Sequence, residues 1–172
     1  MIILGIDPGL AIVGYSVVEY KNKQYKLLAS GAIKTNQTDR EEKRLLEVFE
    51  DMCFLCEKYN PDVASIEKLY LFKNQKTVMQ VSQARGVILA ALEKYKISIY
   101  GYTPIEVKQT ITGFGRASKD DVKKYVELYV ELPNTKLDDT IDSIAIAICH
   151  TRNVFWKKEG GGAAQPTFFI LI

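Results

Sequence analysis

The chain has 172 residues, 47% of them apolar and 26% charged, with a net charge of +2. That length suits one domain able to bury its own core without disulfides or structural metals, and the balance is that of a globular protein in water. So small a net charge excludes a broadly basic polyanion binder; positive charge that serves nucleic acid must be clustered.

Cys53, Cys56 and Cys149 are an odd set, which argues against a disulfide framework and for a reducing compartment. No leader precedes the first strand and no apolar run reaches spanning length, so a cytoplasmic protein without membrane contact is expected.

Residues 2–7 form an apolar run ending in Asp7, followed by the turn Pro8-Gly9. A carboxylate at the end of a buried strand stands where a sheet edge presents it to a ligand, and Gly9 admits close approach. Residues 12–20 and 25–35 read as two further strands. With such short connections all three are expected to be antiparallel neighbours.

The period then changes. Thr38-Asp39-Arg40-Glu41 has the spacing of a capping box, opening a helix with Leu45, Val48, Phe49, Met52, Leu55 and Cys56 on one face and Pro61 at its end. Cys53 and Cys56 share this pattern, so their C-x-x-C spacing reads as buried thiols rather than a redox or zinc pair. A strand over 62–67 finishes in a second carboxylate, Glu67, and a helix over about 76–95 follows.

Residues 97–102 are a fifth strand. Thr103-Pro104-Ile105-Glu106 combines a cap, a proline at the first helical position and a capping-box glutamate. Gly113-Phe114-Gly115 breaks that helix, and Ser118 caps another reaching Leu132-Pro133. The last helix runs from near Leu137 to about Trp156, with His150 as a packing residue. The order predicts a mixed five-stranded α/β sheet with helices on both faces. One domain over 1–157 is expected; from 158 to 172 a Gly-rich linker and an apolar tail stand outside the fold, non-native or disordered.

Asp139 and Asp142 are three apart and share a helix face. The opposite face carries Leu137, Ile141, Ile144, Ala145 and Ile148, a stripe suited to pin the helix to the sheet. Asp7, Glu67 and this pair read together as a metal-binding carboxylate cluster. Crowded carboxylates raise one another's pKa unless a cation neutralises them, and all-oxygen ligands favour Mg²⁺, with Mn²⁺ as substitute. Singly each has a plainer role: Asp7 can shape its turn, Glu67 can form a surface pair, and Asp138 or Asp139 can stabilise a helix first turn. The helical wheel does not choose between Asp138 and Asp139.

The ordered set Gly5-Ile6-Asp7-Pro8-Gly9, Glu67, Lys73-Asn74, Gln83-Ala84-Arg85-Gly86, Val107-Lys108-Gln109-Thr110 with Gly113 and Gly115, and Asp139 to His150 resembles the RuvC-type Holliday-junction resolvases of the RNase H-like superfamily, in register over residues 1–151. The resemblance implies an RNase H-like three-layer fold. It implies Asp7, Glu67, Asp139 and Asp142 as catalytic ligands of two Mg²⁺ ions, in a structure-selective endonuclease that resolves four-way DNA junctions by paired symmetric nicks. It also implies a homodimer, with the helix over 76–95 as candidate interface, and a branch-migration helicase as a further partner. Tyr70, Lys73, Lys76, Lys108, Arg116 and Lys119 are the expected DNA-binding residues, Tyr70 by stacking on unpaired bases. The alternatives are a non-catalytic junction-binding protein of the same fold and an actin-like phosphotransferase. The latter needs a second phosphate-binding domain, for which 172 residues leave no room.

Overall fold

The computed structural model describes residues 1–69, 75–132 and 138–158, with the side chains at 75–77, 138–139 and 155–158 left out. Three strands open the chain: β1 (Ile2–Asp7), β2 (Ile12–Lys21) and β3 (Gln24–Lys34). There follow α1 (Glu41–Tyr59), β4 (Val63–Glu67), α2 (Gln75–Lys94), β5 (Ser98–Tyr102), α3 (Pro104–Thr112), α4 (Lys119–Val126) and α5 (Asp138–Lys158). The sheet order is β3-β2-β1-β4-β5. β1 and β3 pair antiparallel to β2, while β4 runs parallel to β1 and β5 parallel to β4. Hairpin links make antiparallel neighbours and helical crossovers make parallel ones, so the expected mixed sheet follows from connection length alone.

The alternation of side chains along each strand divides the core. Leu4 and Ile6 of β1, Val13 and Val17 of β2, and Ala64 and Ile66 of β4 pack with Val48, Met52, Ile88 and Leu92 of α1 and α2. On the other face Ile3 and Val18 meet Ala147 of α5. α3 and α4 buttress the outer side of α5 through Val107, Ile111, Val122 and Val126.

α5 differs from the expected stripe in an informative way. From Thr140 to Thr151 every residue is buried except Asp142, which is half-buried. A helix enclosed by the sheet on one side and by two helices on the other needs apolar residues all round. The buried stretch therefore opens at a carboxylate.

Two helix ends depart from expectation. α1 starts at Glu41 with Arg40 as its N-cap residue and no side-chain cap. Thr38 instead donates both its N–H (3.0 Å) and its hydroxyl (2.9 Å) to Asn36 Oδ1, a local turn that competes with capping. α4 stops at Val126 rather than near Leu132, because Leu128 N–H and Tyr129 N–H donate to carbonyls three residues back, a tightened turn that does not propagate a helix. Cys53 and Cys56 are buried in the core, as their periodicity indicates. No helix among the described residues is long and apolar enough to cross a membrane.

Candidate active site

Strand parity places the acids. Ile3 and Gly5 face α5, so Asp7, two residues further, faces it too. On β4 the Ser65 hydroxyl donates to the Ile146 carbonyl of α5 at 2.8 Å, which puts Glu67 on the same face. The pairing of Ile6 with Ile66 brings Asp7 and Glu67 abreast at the C-terminal ends of neighbouring parallel strands. Across from Asp7 on β2 stands Gly14, with no side chain to cover the acid.

What brings the third acid down is Gly5. A Cβ there would lie 2.2 Å from the Ser143 carbonyl oxygen and 2.8 Å from both Ala147 Cβ and Ser16 Oγ. α5 thus rests directly on the β1 backbone, with Asp142 one residue from that contact. Gly9 admits the expected close approach, here of backbone: its missing Cβ leaves room for the Ile12 carbonyl oxygen, 2.3 Å from where that atom would stand.

The Glu67 carboxyl lies above the ordinary glutamate range. Burial is the largest cause and the negative charge of Asp142 adds to it, opposed by a hydrogen bond with Asp7 and by the ammonium groups of Lys119 and Lys108. The two carboxyls thus stand close enough for each to influence the other's proton affinity. Lys119 Nζ stands 3.3 Å from Asp142 Oδ2. With both side chains partly in solvent this pair adds little to stability; its effect is to neutralise Asp142.

Local structure aims the two lysines. Ser118 and Asp121 form a reciprocal capping box that fixes the start of α4 and so holds Lys119 at its first position. Thr103 and Glu106 form the same motif on α3, with Pro104 at its head, as expected, and α3 carries Lys108. Arg116 is exposed on the intervening loop. His150 is buried, its Nδ1 2.9 Å from the Tyr102 hydroxyl, and burial pulls its pKa down; it packs rather than ligates.

The structure thus gathers Asp7, Glu67, Asp142, Lys108 and Lys119 around one sheet edge. Asp139 lies on the first turns of α5, but its side chain is outside the described residues, as are Tyr70, Lys73 and the side chain of Lys76. Among the described residues no three Asp, Glu, His or Cys side chains close to joint ligating distance. The donor set still fits a hard cation: it is all oxygen, and the mutual repulsion of its carboxylates, which helps raise the Glu67 pKa, is relieved by positive charge. Sequence reading gave Gly5 and Ser65 no role. Their signal was a small residue at alternate positions of otherwise apolar strands.

A mixed sheet of this order, with carboxylates ending its central strands beneath a helix-borne aspartate, defines the RNase H-like nuclease fold. A family model described as crossover junction endodeoxyribonuclease RuvC matches residues 3–150. The crossover junction endodeoxyribonuclease RuvC of Petrotoga mobilis is 47% identical over 151 residues, 87% of this chain and 93% of its own length. That of Halothermothrix orenii is 45% identical over 162 residues, covering 94% and 98%. The structure of T. thermophilus RuvC in complex with a Holliday junction substrate superposes with a TM-score of 0.85 at 26% identity, covering 97% of this chain and 99% of that one. The chain belongs to the RuvC family of crossover junction endodeoxyribonucleases. Nucleases of this family are metal-dependent.

Proposed function

We propose that this chain resolves four-way DNA junctions by paired symmetric hydrolytic nicks, leaving 5′-phosphate and 3′-hydroxyl ends, with Asp7, Glu67, Asp139 and Asp142 as the metal-holding carboxylates. The observation that carries the reading is geometric: Asp7 and Glu67 end neighbouring parallel strands abreast, with Asp142 of α5 close enough to raise the Glu67 pKa. Such a crowd of carboxylates is stabilised by a divalent cation, which would compete with protons for the same oxygens. Mg²⁺, two ions per site with Mn²⁺ as substitute, would supply Lewis acidity toward the scissile phosphodiester and acidify a water.

The protein's own groups do the rest. Asp7 and Glu67 would offer their carboxylate oxygens to the cation, and Asp142 would exchange its ion pair with Lys119 for it. Lys108 and Lys119 then hold phosphate oxygens at the sheet edge, with Arg116 on the adjoining loop. Tyr70, Lys73 and Lys76 follow Glu67 in the chain; Tyr70 stacks on bases left unpaired at the branch and the two lysines take phosphates. A homodimer with two-fold symmetry sets one site on each of two strands. The exposed face of α2, with Met79 67% accessible, supports that helix as the interface. A branch-migration helicase in the cytoplasm completes the assembly.

The test incubates the protein with a synthetic four-way junction and Mg²⁺, beside Asp7→Asn. Wild type nicks two opposed strands symmetrically and Asp7→Asn does not. Equal nicking by both proteins, or none by either, rejects the proposal, and tight binding without cutting favours a non-catalytic junction binder.

A further inference from the structure

Between the two lysines that reach the carboxylates lies an apolar feature that catalysis leaves unused. Phe114 is 61% exposed, on the loop joining α3, which carries Lys108, to α4, which begins with Lys119. The ring is mounted on braced backbone. Phe114 N–H donates to Thr112 Oγ1 at 3.1 Å, and its carbonyl accepts from Thr112 Oγ1 at 3.1 Å and from Ala117 N–H at 3.1 Å. Gly113 closes α3 in the left-handed region, φ 80°, and its carbonyl accepts from Gln109 Nε2 at 2.7 Å.

The other flank is fixed as well. A Cβ on Gly115 would stand 3.0 Å from Ile105 Cγ2, so the loop lies down on Ile105, a second large apolar side chain that is 60% exposed. Ala117 beyond it is buried. The main-chain groups of Gly113 and Phe114 are satisfied beside a ring that faces water.

A single exposed apolar residue needs no explanation. Two of them, one on a braced loop and the other on the first turn of α3 against which that loop lies, with Lys108, Arg116 and Lys119 on the same segment, describe a surface for a ligand with an apolar plane and an anionic backbone. We propose that Phe114 is a second stacking platform, on which a nucleobase freed at the branch of the junction rests while the flanking cations hold its phosphates. The ring needs no ordering on contact, so the stacking energy is not spent on fixing the loop. The inference rests on the junction-resolving reading above and adds a specific base contact to it.

The experiment measures junction binding by fluorescence anisotropy, with Ca²⁺ replacing Mg²⁺ to prevent cutting, for Phe114→Ala, Phe114→Leu and Phe114→Trp. Because the side chain is exposed, all three should melt like the wild type, which circular dichroism checks. Loss of one stacked base weakens binding about five- to hundredfold. That loss is expected for the Ala and Leu variants, with Trp binding at least as tightly as wild type, and a smaller loss on linear duplex. A junction carrying 5-iodouracil beside the branch should photocrosslink to residue 114 in the wild type and the Trp variant only. Unchanged affinity in the Ala variant, full rescue by Leu, or crosslinks confined to other residues would overturn the assignment. A wild-type protein that binds no junction at all would overturn the parent reading as well, which separates the two failures.

Discussion

At Glu67, burial and the charge of Asp142 both favour the protonated carboxyl, whereas metal binding requires the ionised one. The folded protein holds this proton more tightly than the unfolded chain, so stability falls as pH rises from the ordinary glutamate range through the raised folded value. Glu67→Gln removes that conflict. It is expected to raise the melting temperature in EDTA at neutral pH while cutting nicking by more than about a hundredfold, beyond the loss of a mere outer-shell partner; a lowered melting temperature would contradict the electrostatic account. The same proton governs activity. At limiting Mg²⁺ the single-turnover rate should fall with decreasing pH, with a midpoint above the ordinary glutamate value of about 4.3, and the midpoint should move down as Mg²⁺ rises because cation and proton compete. A profile indifferent to Mg²⁺ would show that this carboxyl is not where the cation binds.

Among the elements, α5 and α4 carry the precision of the site. Gly5→Ala would set a methyl group 2.2 Å from the Ser143 carbonyl oxygen, an atom of the helix backbone that cannot rotate away. Overpacking of this kind costs about 1–3 kcal/mol, and the relief available is a shift of α5 that carries Asp142 off the sheet edge. Urea unfolding should show the destabilisation, and cleavage should fall further than the residual folded fraction explains. At α4, Ser118→Ala removes a cap worth about 1 kcal/mol and frees the turn that aims Lys119 at Asp142. Its expected signature is a modest loss in urea midpoint together with weaker junction binding; a change in stability alone would confine Ser118 to a structural role.

For the whole molecule, the open question is how one site per chain becomes two coordinated nicks. Gly86 lies exposed on α2, and nothing stands within 4 Å of where its Cβ would be. Gly86→Arg therefore sets its Cβ against nothing among the described residues and gains helix propensity of about 1 kcal/mol. If α2 faces a second copy, size-exclusion chromatography with light scattering will find this variant monomeric and nicking one strand at a time. A dimer that persists would place the interface elsewhere. If Lys108, Arg116 and Lys119 act on phosphates as proposed, junction affinity should also fall steeply with salt, and Arg116→Ala should flatten that dependence.

Much of the framework is written locally in the chain. Strand period, the switch to helical period, the caps at Thr103 and Ser118, and the acids closing β1 and β4 depend on near neighbours, and hairpin or helical connections set the strand directions. Where only distant contacts decide, the structure adds what local pattern lacks. Thr38 has the spacing of a cap, yet Asn36 takes its hydroxyl and α1 begins uncapped. The apolar residues of α5 look like a stripe because a one-dimensional pattern does not show that α3 and α4 enclose the far side. Above all, the closeness of Asp142 to Asp7 and Glu67 arises from Gly5 lacking a side chain beneath Ser143. The raised pKa of Glu67 likewise comes from burial and from the charge of Asp142, 75 positions away. The sequence determined which chemical groups exist and which strand ends and helix faces carry them; tertiary packing alone decided their separations, and electrostatic energies depend on separation and burial rather than on order along the chain.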